Sequence, residues 1–349
     1  MPAEWEHNGA VLIAWPHAGT DWSYMLDEVT ACYIDIARAI TDGGNLLVVA
    51  APDIAVPKRC LAGIDNARVI YCQVATNDTW ARDFGPITVV DGFSSSAQLH
   101  GSGGQTRLVD FCFNAWGLKF AANHDNLITS KLAAAHLFAA PVENRLGFVL
   151  EGGSIESDGA GTILTTSECL LSPNRNGDLS RGQIEDYLRE ALGADRFLWL
   201  DHGYLAGDDT DSHIDTLARF APGDTIIYVK CDNRADEHYP ELAAMEEQLR
   251  GFRTRNGNPY NLVALPLPDP IYDENGDRLP ATYANFLITD TQVLLPVYGQ
   301  KANDLLAEQI LRVVFHDREI VPVDCRALIR QHGSLHCVTM QLQKSILPL

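Results

Sequence analysis

The chain has 349 residues, 46% of them hydrophobic and 21% charged, a globular composition rather than that of a disordered chain. Its net charge of −20 argues against a nucleic-acid binder built on a basic stripe and would steer a small cation inward. No apolar run approaches the ~20 residues that span a bilayer, and the opening residues lack the basic and apolar regions of a signal peptide, so a cytoplasmic protein is expected.

The first predicted element is a helix with Leu26, Val29, Cys32, Tyr33, Ile36 and Ile40 on one face, closed by Gly43-Gly44. Further helical patterns lie near 126–139, 181–192 (ended by Gly193), 240–251 and 302–315. Short runs rich in Val, Ile and Thr predict strands at 46–50, 69–74, 87–90, 162–165, 225–230, 286–288, 292–297 and 337–342. The Ser- and Gly-rich stretch 91–107 and the Pro-rich stretch 252–280 read as long surface loops. Strands alternating with helices predict an α/β or mixed architecture. With no linker in sight, residues 1–349 read as one domain, and five helices imply a repeat of about 70 residues.

Four segments are dense in polar groups: Thr79-Trp80-Ala81-Arg82-Asp83-Phe84-Gly85-Pro86, Glu151-Gly152-Gly153-Ser154, Gly207-Asp208-Asp209-Thr210-Asp211-Ser212-His213-Ile214-Asp215, and His332-Gly333-Ser334-Leu335-His336-Cys337. Asp83, Glu151, His213, Asn285 and Cys337 follow one another at intervals of about 50–70 residues, one polar group for each strand–helix unit. If the units surround an axis, these groups converge on one central pocket. Singly, each has a plainer reading. Asp83 and Glu151 suit turns, and His213 among aspartates suits a loop or a metal site. The eight cysteines are scattered without CxxC pairs or zinc spacing, as buried reduced thiols would be. Together they supply a nucleophile, a base and carboxylates.

A guanidinium group matches that set. Paired carboxylates can hold its N–H donors bidentately, and a thiolate can add to its carbon and expel ammonia. The covalent thiouronium that remains is then hydrolysed, with a histidine protonating the leaving nitrogen and activating the water. The bound cation itself favours the thiolate of Cys337. The scheme calls for no metal and no organic cofactor.

The segments resemble the agmatine deiminase and bacterial peptidyl-arginine deiminase family, within the wider guanidino-modifying superfamily. Trp80-Ala81-Arg82-Asp83-Phe84-Gly85-Pro86 is similar to the family's Trp-x-Arg-Asp-x-Gly-Pro, and Glu151-Gly152-Gly153 with Asn174-Arg175-Asn176 to its Glu-Gly-Gly segment. Asp209–Asp215 and His336-Cys337-Val338-Thr339 resemble its histidine and cysteine segments, and the likeness runs from Met1-Pro2-Ala3-Glu4-Trp5 to Gln341. It implies a five-bladed α/β propeller of ββαβ-type units around a central pocket. It also implies Cys337 as nucleophile, His213 as acid and base, and Asp83 and Asp215 as guanidinium clamps. Glu151 becomes the remaining carboxylate, partnering His213 and the guanidinium; Trp80 becomes a pocket wall, with Asn285 near it. A homo-oligomer is compatible with the resemblance, though no residue marks an interface.

Two departures fall near the expected pocket: Gly333 is the one glycine in 331–335 where the family has a run, and Leu118 stands where Asn-Ala-Trp-Gly-Gly is common. Agmatine, a free dication, is the expected substrate. The alternatives are protein-linked arginine and a non-catalytic binding protein on the same fold. Free arginine stays open too: a carboxylate at the far end of the pocket favours agmatine, an arginine there favours free arginine.

Overall fold

The computed structural model describes residues 1–6, 9–90 and 105–348. Of the predicted loop 91–107, residues 91–104 lie outside the described residues. The mixed α/β architecture is as expected. The described strands form five separate sheets, each built on the same local logic.

The first sheet holds β1 (Gly9–Ala14), β2 (Leu46–Ala51) and β3 (Val69–Gln73), all parallel. In the second, β4 (Ile87–Val90) pairs antiparallel with β5 (Thr106–Cys112), which pairs parallel with β6 (Val142–Val149). The pattern recurs in β7 (Ile155–Ser157), β8 (Thr162–Thr166) and β9 (Arg196–Leu200). It recurs again in β10 (Ala218–Ala221), β11 (Thr225–Lys230) and β12 (Asn261–Pro266), and in β13 (Leu287–Ile288), β14 (Gln292–Val297) and β15 (Glu319–Asp324). The last strand, β16 (Met340–Gln343), pairs antiparallel with β1 and so gives the first sheet the strand that it lacked.

Each parallel pair needs a crossover; β2–β3 is joined through the short helix Ala55–Cys60, and the other five through Leu26–Asp42, Ile128–Ala134, Arg181–Leu192, Tyr239–Gly251 and Lys301–Val314. Of these five, the first buries Val29, Cys32, Tyr33, Ile36 and Ile40 on the predicted face. The third starts at a capping box formed by Ser180 and Gln183 and ends at Gly193, whose φ of 70° needs no Cβ-bearing residue. The second is shorter than predicted, because a 3-10 turn occupies Asp125–Leu127 and His136 turns left-handed at φ 57°.

Two expectations need correcting. The stretch 252–280 is not all loop: β12 lies within it, a half-exposed edge strand whose turn-rich flanks masked it. Cys337 is not in a strand, since β16 begins at Met340 and the cysteine occupies the turn before it. That offset places the chemistry. Asp83, Gly153, His213, Asn285 and Cys337 each lie just ahead of the antiparallel first strand of a sheet, namely β4, β7, β10, β13 and β16. Position in the repeat, not nearness in sequence, gathers them.

Candidate active site

A cavity is lined by Asp21, Asp78, Trp80, Asp83, Trp116, Phe120, Asp209, Thr210, Gln331, His332, Gly333 and Cys337. Cys337 lies at its base. Its Sγ is 3.4 Å from Asn285 Oδ1 and 3.9 Å from Asp215 Oδ2. Asn285 Oδ1 also accepts the backbone N–H groups of His336 (2.8 Å) and Cys337 (3.3 Å). Asn285 therefore acts from behind the nucleophile, fixing its turn, and does not line the cavity.

Trp80 does form a wall. It packs on Gly333 so closely that a Cβ at Gly333 would enter the indole ring. The glycine retained in 331–335 is thus the one that the wall requires. His332 beside it sits at φ 66°, in the left-handed region that favours glycine.

Asp83 lies in the short turn Ala81–Phe84. Its Oδ2 accepts the Trp116 Nε1–H at 2.9 Å, and its Oδ1 accepts the Gly153 N–H at 3.0 Å. Trp116 belongs to a left-handed run, with φ of 54° at Ala115, 55° at Trp116, 83° at Gly117 and 70° at Leu118. Such backbone costs roughly 1–2 kcal/mol for each residue with a Cβ. It is held by the Asn114 side chain, which accepts from the Gly117 N–H and donates to the Asn174 carbonyl. Leu118, at φ 70°, therefore occupies strained backbone two residues after Trp116.

Gly153 marks where the groups meet. A Cβ built on it would stand 2.7 Å from His213 Nδ1, 2.8 Å from Asp83 Oδ1 and 3.1 Å from Asp215 Oδ2. His213 is buried with neither ring nitrogen hydrogen-bonded among the described residues, its Nδ1 lying 3.6 Å from Asp83 Oδ1, and Asp215 Oδ1 likewise has no hydrogen bond. Asp215 Oδ2 instead accepts from His336 Nδ1 at 2.7 Å. Three polar groups turned toward one buried point, with bonding capacity to spare, form a receptor for a group rich in N–H donors.

Burial pushes the Cys337 thiol well above its ordinary range, and Asp215 and Asp83 reinforce the shift. Burial likewise lowers His213 to about 3. The two carboxyls diverge. Burial and the Asp215 charge drive Asp83 well up, whereas on Asp215 the same burial is outweighed by His336, His213 and Arg219, which hold it down. A neutral thiol and imidazole thus sit beside one ionised carboxylate, an arrangement that an incoming cation would repolarise.

Glu151 is placed differently from the expectation. Both its oxygens face Arg175 Nε, at 2.9 and 3.0 Å, and like His213 and Asp215 it lies outside the cavity lining. Arg175 also reaches Asp211 Oδ2 (2.6 Å) and the Thr210 carbonyl (2.8 Å), tying down the loop that carries His213. Asp208 accepts from Thr210 and Ser212 within that loop, and Asp211 also pairs with Lys119. These aspartates are structural, not ligands. Glu151, Cys169 and His213 do place potential ligand atoms within 4.8 Å of one another. However, the Arg175 guanidinium already satisfies Glu151, so the donor set does not suit a metal cation.

Sequence reasoning missed Trp116, Gly153, Arg175 and His336 as working parts. Each stood within or beside a recognised segment; the missing signal was contact across the sheets. The acidic residues Asp21, Asp78 and Asp209 at the cavity wall were missed as well.

The profile of the Porphyromonas-type peptidyl-arginine deiminases matches residues 1–342, and the chain belongs to that family, whose members are hydrolases of guanidino C–N bonds. A Shewanella baltica protein that bears the provisional name agmatine deiminase is 35% identical, over 98% of this chain and 93% of its own. A C. jejuni agmatine deiminase with one cysteine changed to serine, solved with substrate bound, superimposes with a TM-score of 0.89 at 36% identity, covering 99% of this chain and 96% of that one. A Porphyromonas gingivalis structure provisionally named an arginine deiminase reaches a TM-score of 0.90 at 48% identity, covering 99% and 98%. No helix among the described residues is long and apolar enough to cross a membrane.

Proposed function

We propose that this protein deiminates agmatine to N-carbamoylputrescine and ammonia through a covalent bond to Cys337, in a single domain whose five sheets are the blades of an α/β propeller. The observation that carries the substrate is the acidic cavity wall. Asp21, Asp78 and Asp209 line it together with neutral side chains and His332, and no arginine or lysine is among the lining residues. A carboxylate-bearing amino acid would meet repulsion there, while the primary ammonium of agmatine would meet attraction. Burial raises Asp78 to about 6, with the nearby Asp21 charge adding to the shift, so a bound ammonium would be drawn toward it.

In the reaction, Asp83 and Asp215 take the guanidinium N–H donors and align its carbon over Sγ. The cation's charge lowers the thiol, whose proton passes to His213 as the C–S bond forms. The resulting tetrahedral adduct is neutral. His213 returns that proton to an NH₂ group, the C–N bond breaks, and ammonia leaves from a thiouronium cation. Water then loses a proton to His213 and attacks the same carbon. As the C–S bond breaks, the adduct's hydroxyl proton goes to the sulfur, releasing the urea product and restoring the thiol, and His213 gives its proton to solvent, where ammonia takes it up. Glu151, held by Arg175, sets the field around His213 from behind.

Purified protein incubated separately with agmatine, arginine and an arginyl peptide tests this, with ammonia as the readout. Release from agmatine alone is expected, and lost in Cys337→Ala. Turnover of the peptide instead would favour the reading borne by the family's name; ammonia from none would favour a binding protein.

A further inference from the structure

A second cluster of charges lies beneath the cavity and contributes nothing to its lining. Arg82, Arg219 and His336 meet Glu4, Glu156 and Asp215, all buried. Glu4 joins them from the opening segment. Its Oε2 accepts from Arg219 Nη2 (2.9 Å) and lies 2.7 Å from His336 Nε2, while its Oε1 accepts the Ile288 N–H at 2.7 Å. Arg82 Nη2 is 3.6 Å away. Arg219 Nε donates to Glu156 Oε2 at 2.9 Å and its Nη1 to the Phe286 carbonyl at 2.6 Å.

The His336 ring is therefore clamped between two carboxylates, with Nε2 on Glu4 and Nδ1 on Asp215, both at 2.7 Å. Burial would raise both acids, yet Arg219 and His336 on Glu4, and chiefly His336 on Asp215, hold them below the usual carboxylate range. With an ionised carboxylate at each ring nitrogen, both nitrogens would donate. The ring cannot swing aside, because the backbone at His336 and Cys337 is fixed by Asn285 and by the Arg82 N–H on the Cys337 carbonyl at 3.1 Å.

We propose that Glu4 is a positioning residue for the reaction: through the ring of His336, it fixes Asp215 with Oδ2 3.9 Å from Cys337 Sγ and facing the point where Asp83 and His213 meet. His336 Nδ1 lies 2.7 Å from that same Oδ2, while Oδ1 bonds no protein atom among the described residues. Glu4→Gln keeps the shape of the side chain but removes the charge at Nε2, so a carboxylate no longer holds the ring from both ends. The proposal rests on the deiminase reading above.

The test combines Glu4→Gln with nitrogen resonances of the histidine rings. In the unsubstituted protein, His336 should show protons on both ring nitrogens; in Glu4→Gln it should show one. Ammonia release from agmatine, expressed as kcat per titrated Cys337 thiol, should fall roughly tenfold or more, whereas a merely structural role would lower the folded fraction and leave kcat per site intact. A single ring proton in the unsubstituted protein, or an unchanged kcat per site in the variant, overturns the proposal. Should Glu4→Gln fail to fold, the resonances of the unsubstituted protein decide. Failure of the unsubstituted protein to release ammonia is a separate outcome and counts against the functional reading instead.

Discussion

Gly153→Ala adds one carbon at the point where the candidate groups meet. The added Cβ would stand 2.7 Å from His213 Nδ1 and 2.8 Å from Asp83 Oδ1, tighter than ordinary carbon–heteroatom contact, and 3.1 Å from Asp215 Oδ2. Relieving it requires shifts of roughly half an ångström or more in at least two of the three groups, since ring and carboxylates are packed on every side. A misplacement near 1 Å can cost about 100-fold in rate, which corresponds to about 2.7 kcal/mol in the barrier. Gly153 is not among the positive-φ glycines, so alanine meets no backbone strain and the fold should survive with a loss of about 1–3 kcal/mol from overpacking. The assay is ammonia release from agmatine, with kcat and KM measured beside the thermal midpoint. Gly182→Ala, where an added Cβ meets nothing within 4 Å, serves as the control. A Gly153→Ala protein with near-normal kcat would refute the claim that His213, Asp83 and Asp215 converge on the reacting carbon.

Stability should fall as pH rises from about 5 to 7. Burial raises Asp78 to about 6 and Asp125 to about 7, so between the unfolded value near 4 and these values the folded state binds more protons and gains from acidification. Asp110, raised by burial to about 7, adds to this gain, while His213, lowered to about 3, opposes it because the unfolded imidazole takes up a proton as pH falls through about 6.5; Glu4 and Asp215 lose their contribution only at lower pH. Between pH 8 and 5.5 the gain is on the order of 2 kcal/mol, read as a thermal midpoint higher by roughly 3 °C or more at pH 5.5. Asp125→Asn and Asp110→Asn should each remove a comparable part of this dependence. Arg175→Met leaves Glu151 buried without its partner and unties the His213 loop, so a loss of about 3–5 kcal/mol is expected in denaturant melts. An Arg175→Met protein as stable as the parent would show that Glu151 is not held as a carboxylate by this pair.

The sequence by itself determined the rhythm of this protein. Helical periodicity gave the face Val29, Cys32, Tyr33, Ile36 and Ile40 that packs in the first crossover helix, and the polar residues that recur once per unit were visible because each precedes a strand. These are local properties, written into residue spacing by the periods of helix and strand. The family was legible for the same reason: its motifs are short ordered runs. Only the tertiary structure decided which polar groups touch. Glu151 turned to Arg175, while His336, unremarkable beside Cys337, proved to bridge Asp215 and Glu4, the latter 332 residues away along the chain. The closing of β16 on β1 brings the cysteine turn and the opening segment into the same sheet. Protonation followed from that enclosure as well: burial is a property of the folded whole, and it favours the neutral thiol of Cys337 and the neutral ring of His213.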